Sequence, residues 1–133
     1  MMQDRQPERM ELRVPYRDID MHGRMRTAAY IDHAEEALAR FWRFRPEVSN
    51  EPAYVVRKVS CTFYRGLKNE EVADLVVRAA KIGGKSIGFN VAVQSGNGIA
   101  AEVEILWTAV HSGSGEPAPL PEATRDWLYS YVE

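Results

Sequence analysis

The chain has 133 residues, 45% of them apolar and 27% charged, with a formal net charge of −2 at pH 7. That length suits one domain with a real core, and the slightly acidic balance speaks against a nucleic-acid binder, whose domain would carry a basic excess. No apolar run is long enough to span a bilayer, and the polar N-terminus is unlike a signal peptide. The lone Cys61 cannot close an internal disulfide, which fits a reducing cytoplasm. His22, His33, His111 and Cys61 lack metal-ligand spacing. The expectation is a single soluble, cytoplasmic, metal-free domain over 1–133, with no nucleic-acid or membrane partner.

Residues 1–9 read as a frayed tail. Met10–Tyr16 alternates loosely and predicts a first strand, with Pro15 at its end. From Thr27 the period changes: Ala28, Ile31, Ala34, Leu38, Phe41 and Trp42 recur three to four apart. This predicts an amphipathic helix of four or five turns, with Thr27 as its N-cap, stopped before Pro46 and lined inside with alanine. Residues 46–52 read as a loop. Four strands are then predicted, at Ala53–Tyr64, Val72–Ile82, Lys85–Gln94 and Ile99–His111. Gly83-Gly84 is expected to be a two-residue hairpin turn using positive φ, and Ser95-Gly96-Asn97-Gly98 a second hairpin loop. Pro121 opens a short terminal helix over 121–132, anchored by Trp127, Leu128 and Tyr131. One long helix against a mostly antiparallel sheet is an α+β arrangement. A single helix covers one face of that sheet. Apolar side chains on the other face would need a partner, so a homo-oligomer is expected.

Chemistry concentrates in Arg17-Asp18-Ile19-Asp20-Met21-His22-Gly23-Arg24-Met25-Arg26-Thr27-Ala28-Ala29-Tyr30, where strand gives way to helix. Amides of a helix's first turn have no intrahelical partner and point at whatever lies ahead. This stretch resembles the Arg-x-Asp-x-Asp-x-x-Gly-His-Val-Asn-Asn-x-x-Tyr pattern of hotdog-fold acyl-CoA thioesterases of the 4-hydroxybenzoyl-CoA thioesterase type. Val59–Arg65 and Lys81–Phe89 resemble that family's second strand and its following hairpin, and the likeness covers roughly residues 10–130. The resemblance implies a hotdog fold, a long central helix wrapped by a five- or six-stranded antiparallel sheet. It also implies a homodimer or homotetramer with the site at a subunit interface, and an acyl-CoA substrate with no cofactor beyond the coenzyme A it carries. The chain departs from the pattern at Arg24-Met25-Arg26-Thr27, where the family commonly has His-Val-Asn-Asn.

Thioester hydrolysis needs a carboxylate that attacks the carbonyl or activates water, and amide donors for the oxyanion that develops. Asp20 stands where the family keeps its catalytic carboxylate, and the backbone amides of Gly23 and Thr27 are the oxyanion candidates, Thr27 the better by resemblance. Asp18 is expected to cap a turn or pair with an arginine. His22 is expected to face solvent, and His33 to be packed or at the surface. Glu35 could orient water or be a solvated helical carboxylate. Tyr30 is expected to pack against the loop, bordering the acyl pocket. Met21 and Met25 could line an acyl channel, with core filling an equal alternative.

Coenzyme A brings phosphates, for which Lys85 and Ser86 at the matching hairpin are the leading partners, ahead of Lys81, Arg57, Lys58 and Arg65. Arg24 and Arg26 sit beside a positive helix end and need anions. Either the two aspartates supply them, or a CoA phosphate or acidic acyl group does. The expected function is acyl-CoA hydrolysis. The alternatives are a non-catalytic acyl-CoA-binding or assembly protein on the same fold, and a hydratase, for which Asp20 with His22 would be a poor Asp/His pair.

Overall fold

A computed structural model describes residues 8–96 and 98–132. Its elements are β1 (Glu8–Arg13), a 3-10 turn (Tyr16–Asp18), α1 (Thr27–Trp42), β2 (Ala53–Phe63), β3 (Val72–Ile82), β4 (Ser86–Ser95), β5 (Gly98–Val110) and α2 (Glu122–Tyr129). The five strands form one sheet in the order β1-β3-β4-β5-β2, with every neighbouring pair antiparallel. This is the expected α+β hotdog architecture, in its five-stranded form. The tail expected over 1–9 falls mostly outside the described residues, and residues 8 and 9 already belong to β1.

The sheet presents alternate residues to α1, and those positions are the apolar ones. Leu75 and Val77 of β3, Ile87, Phe89, Val91 and Val93 of β4, and Val103 and Ile105 of β5 join a single core. The helix meets them through Ala29, Tyr30, Ala34, Ala37, Leu38 and Phe41. Three alanines on this stripe let the helix axis lie close to the sheet. Ala34, Leu38 and Phe41 are buried as expected, whereas in the first turn Ala28 is exposed and Ala29 and Tyr30 take the inner face. Past the C-terminal end of α1 the core becomes aromatic. Phe41 stacks on Trp127 of α2 at 4.8 Å and meets Tyr131 edge-on at 4.8 Å. Trp42 packs edge-on against Tyr54 and Trp107, each at 5.0 Å. The anchors expected of the terminal helix are all buried, although α2 stops at Tyr129.

Several local expectations differ. β1 ends at Arg13, because Val14 leaves the ladder to exchange hydrogen bonds with Glu70 and Glu71, and the chain then tightens into the 3-10 turn. Thr27 is the first helical residue and not the cap. Arg26 takes that position with no side-chain cap bond. The β3–β4 connection runs over 83–85, and neither glycine has positive φ; the described glycines that do are Gly23, Gly98 and Gly115. That connection is held from outside, Lys85 O accepting from Ala109 N and Gly84 O from Leu120 N, so it needs no tight primed turn. Asn97 of the next hairpin lies outside the described residues.

The sheet face away from α1 mixes charged and polar side chains with the apolar ones expected there. It carries Arg9, Glu11, Asp74, Arg78, Asn90, Glu102 and Glu104. There Asn90 donates to Glu102 (3.2 Å), Tyr64 Oη donates to Glu102 (2.9 Å) and Ser60 Oγ donates to Glu104 (3.2 Å). Val76 and Ala92 are buried on this face, directly opposite each other across β3 and β4 and beneath the longer polar chains. Exposed apolar side chains on the sheet include Val72 and Leu106 on this face, with Val56, Phe63 and Tyr64 on the edge strand β2 and just past its end.

Phe41 joins α1, α2 and the sheet, so truncating it opens a cavity at their junction. Phe41→Ala is expected to destabilise the fold by about 3–5 kcal/mol, read as a drop in urea midpoint with unchanged slope.

Candidate active site

β1 and the 3-10 turn deliver the chain to a short loop between Ile19 and Met25, whose backbones pair antiparallel and form its neck. Inside the loop Asp20 N donates to Arg24 O (2.7 Å) and Gly23 N to Asp20 O (3.1 Å). The Asp20 carboxylate turns back on its own loop, Oδ1 accepting from the amides of His22 (2.8 Å) and Arg24 (3.1 Å). These amide bonds, Arg24's first, hold the Asp20 carboxyl below the 3.8 of an ordinary aspartate. Its other oxygen, Oδ2, has no partner among the described residues. Gly23 supplies the turn with a φ of 78°, a conformation that favours glycine.

Directly after the neck, α1 begins. The Thr27 and Ala28 amides have no acceptor among the described residues, as expected of a first turn. The Gly23 amide does not share that freedom, being spent on the Asp20 carbonyl, which counts against its role as an oxyanion donor.

Asp18 stands apart from Asp20. It is buried, accepting from Arg26 Nη2 at Oδ1 (3.2 Å) and facing His33 Nε2 at Oδ2 (2.7 Å). Burial works against its charge, but the His33 and Arg26 contacts outweigh it and hold the carboxyl below its ordinary range. The two arginines of the loop therefore have separate fates. Arg26 pairs with Asp18, the plainer of the two expected readings. The Arg24 guanidinium has no acidic partner among the described residues, and its stem lies over Gly66, where an added Cβ would meet Arg24 Cδ at 2.6 Å.

The β2–β3 connection forms a shelf under the loop. Met25 N donates to Leu67 O (2.8 Å), and Leu67 N donates to the buried Tyr30 hydroxyl (2.9 Å). Tyr30 is thus packed, as expected, but against this shelf, and it meets Phe63 edge-on at 5.2 Å. Glu71 closes the shelf, taking Ser95 Oγ (2.6 Å), Arg65 Nη2 (3.0 Å) and Lys68 N (3.1 Å). Its burial opposes the charge, yet these donors bring its pKa down to about 2.

The other expected residues scatter. Met25 is core, 3% exposed, whereas Met21 at the loop tip is 92% exposed. His22 is exposed, as expected. Glu35 projects from the outer face of α1, two turns (~12 Å) beyond Thr27, with no partner among the described residues. Lys85 and Ser86 are not near Asp20 within the chain. The loop adjoins the Val72 end of β3, while those two residues follow its Ile82 end, and the strand's eleven residues span roughly 33 Å. Cys61 is a half-buried thiol whose pKa burial pushes up, consistent with an inert core neighbour.

Sequence reasoning missed the Asp18–His33 pair. A signal was present: His33 falls four residues after Ala29 and three after Tyr30, on the margin of the buried stripe, where a polar side chain needs a partner.

Residues 14–128 match the model of the thioesterase-like superfamily. The chain belongs to that family. No curated protein matches the sequence, and the likeness to solved structures is one of fold. A Staphylococcus aureus protein solved in complex with CoA superposes with a TM-score of 0.86 at 14% identity, covering 98% of this chain and 87% of that one. A Pseudomonas aeruginosa protein gives 0.82 at 19% identity, covering 96% and 93%. The 1,4-dihydroxy-2-naphthoyl-CoA thioesterase of Synechocystis gives 0.77 at 12% identity, covering 92% and 93%.

The Glu71 carboxylate stabilises the fold fully above its ordinary value of 4.5, and that stabilisation is lost as pH falls toward about 2. In urea titrations the midpoint is therefore expected to drop less over this window in Glu71→Gln than in the parent, the variant starting lower at neutral pH.

Proposed function

We propose that the protein hydrolyses an acyl-CoA thioester, with Asp20 as nucleophile or general base and the Thr27 amide as oxyanion donor. The observation that carries this reading is the Asp20 carboxylate: amides hold it ionised by one oxygen and leave the other free, a few residues ahead of two unpartnered helix amides. Family membership and the fold shared with a CoA-bound structure support the substrate class.

In the reaction, Asp20 Oδ2 either bonds to the carbonyl carbon or takes a proton from the water that does. The tetrahedral oxyanion forms against the Thr27 amide, and its collapse breaks the carbon–sulfur bond and expels the thiolate of CoA, which takes up a proton. On the nucleophilic route the acyl–Asp20 anhydride left behind is then hydrolysed by water, which frees the acid and restores the carboxylate. The products are a free acid and CoA, and no further cofactor is consumed. Arg24, an arginine without a carboxylate partner beside this carboxylate, is the residue for an anionic group of the substrate, either a CoA phosphate or an acidic acyl end. Tyr16, Met21, Phe63 and Tyr64 are exposed apolar side chains on the segments that frame the loop, and they suit contact with an acyl chain or a second subunit. Lys85 and Ser86 serve the same site only if a second copy brings its hairpin to this loop, so the reading includes a homo-oligomer with the site at the subunit interface.

Thiol release from a panel of short, long, aromatic and dicarboxylic acyl-CoAs tests the reading. Asp20→Ala is expected to lower release by at least about 100-fold while acyl-CoA still binds. Tight binding of acyl-CoA with no release by the parent would instead favour the non-catalytic reading. Because the carboxyl sits below 3.8, kcat/KM is expected to show no acid limb between pH 8 and about 5. A limb in that range would exclude Asp20 as the group that must be ionised.

A further inference from the structure

The Asp20 loop is bonded almost wholly to itself. Its tip is closed by Asp20, Gly23 and Arg24 backbone contacts and by the Asp20 carboxylate, none of which reaches α1. The direction in which the carboxylate faces the first turn of the helix is therefore set at the neck. There, Arg26 N donates to Asp18 O (2.7 Å) and Arg26 Nη2 to Asp18 Oδ1 (3.2 Å). Both of those bonds join the incoming and outgoing strands to each other. Met25 N also ties the joint to the shelf at Leu67 O (2.8 Å), and Ala29 N of α1 donates to Arg26 O (3.0 Å). The α1 side chain that bonds Asp18 directly is His33, whose Nε2 lies 2.7 Å from Asp18 Oδ2. The contact is dry, with side-chain exposures of 13% for His33 and 7% for Asp18.

We propose that His33 is a positioning residue, locking the neck of the Asp20 loop onto α1 through Asp18 so that the carboxylate keeps a fixed relation to the Thr27 amide. This rests on the reading of Asp20 as the reacting group. In this arrangement both Asp18 oxygens are taken, Oδ1 by Arg26 and Oδ2 by His33, which gives the Asp/His pair of this chain a structural part. A reacting carboxylate displaced by an ångström loses turnover far more than affinity, because ground-state binding is spread over the whole acyl-CoA.

The test compares His33→Gln with His33→Leu in the full chain. A glutamine amide reaches Asp18 from nearly the place of Nε2, whereas leucine keeps bulk without a donor. With any acyl-CoA the parent hydrolyses, His33→Leu is expected to lower kcat about 10- to 100-fold with KM within about 2-fold, and His33→Gln to stay within about 3-fold of the parent. Hydrogen exchange at the Arg24 and Arg26 amides is expected to quicken in His33→Leu alone, with core amides such as Val77 and Val91 unchanged. Should the leucine variant fail to fold, His33→Asn, too short to reach Asp18, carries the same comparison.

Parent-like kcat in the variant that cannot bond Asp18, or unchanged exchange at Arg24 and Arg26, overturns the proposal. So does equal loss in the glutamine and leucine variants. If the parent releases no thiol, or Asp20→Ala keeps full activity, the hydrolase reading fails on its own, and the exchange comparison still decides whether His33 holds the loop.

Discussion

One helix has to cover the inner face of a five-stranded sheet, and the rest of the molecule answers to that constraint. A sixteen-residue helix with bulky residues throughout its inner stripe would stand off the strands and leave voids. Alanines at 29, 34 and 37 bring it down, and the large side chains gather where more room exists. Toward the C-terminal end that room is filled by Phe41, Trp42, Trp107 and Trp127, with α2 closing over them. At the N-terminal end no second helix is available. A loop and a shelf take its place, and Asp18, Asp20 and the first amides of α1 are found there.

The loop achieves its electrostatics cheaply. A carboxylate brought near a protein surface needs donors, and here they come from amides two and four residues along the chain. The shelf beneath is built with more expensive parts. Leu67 spends both its amide and its carbonyl on Tyr30 and Met25, and Glu71 gathers an arginine and an amide from its own connection and a serine from β4. A local turn thus sits on a support of long-range contacts, and the support fixes where the turn stands. The acidic pair Asp18 and Asp20 divides these jobs: one carboxylate is buried and fully satisfied, the other keeps an oxygen in reserve.

Most of the fold was legible in the sequence because its period changes are sharp. The alternation of Ile87, Phe89, Val91 and Val93 named both the strand and its inner face, and Trp127, Leu128 and Tyr131 marked the terminal helix. Misreadings arose where tertiary contacts override local preference. Gly83-Gly84 looks like a tight turn, but Ala109 and Leu120 hold that connection from outside. The far face does carry apolar side chains such as Val76 and Ala92, but the way Asn90, Glu102 and Tyr64 bond across it is a tertiary matter. At the candidate site, Asp20 and the helix start were readable from the motif. The engagement of the Gly23 amide, the burial of Asp18 and its bond to His33 fifteen residues away were not. Those depend on how the loop folds back, which no periodicity encodes.

The donors to Asp20 are backbone groups, and a backbone amide is the same whatever side chain it carries. The grip of the residue 24 amide on the carboxylate therefore does not depend on the arginine side chain it carries. Such a loop separates two kinds of inheritance. The part that keeps an acid charged is written in chain geometry and resists substitution, provided the glycine of the turn remains. The part that meets the ligand is written in side chains and is free to drift. Side chains at positions 24 and 26 can therefore change without undoing the backbone bonds that hold the Asp20 carboxylate.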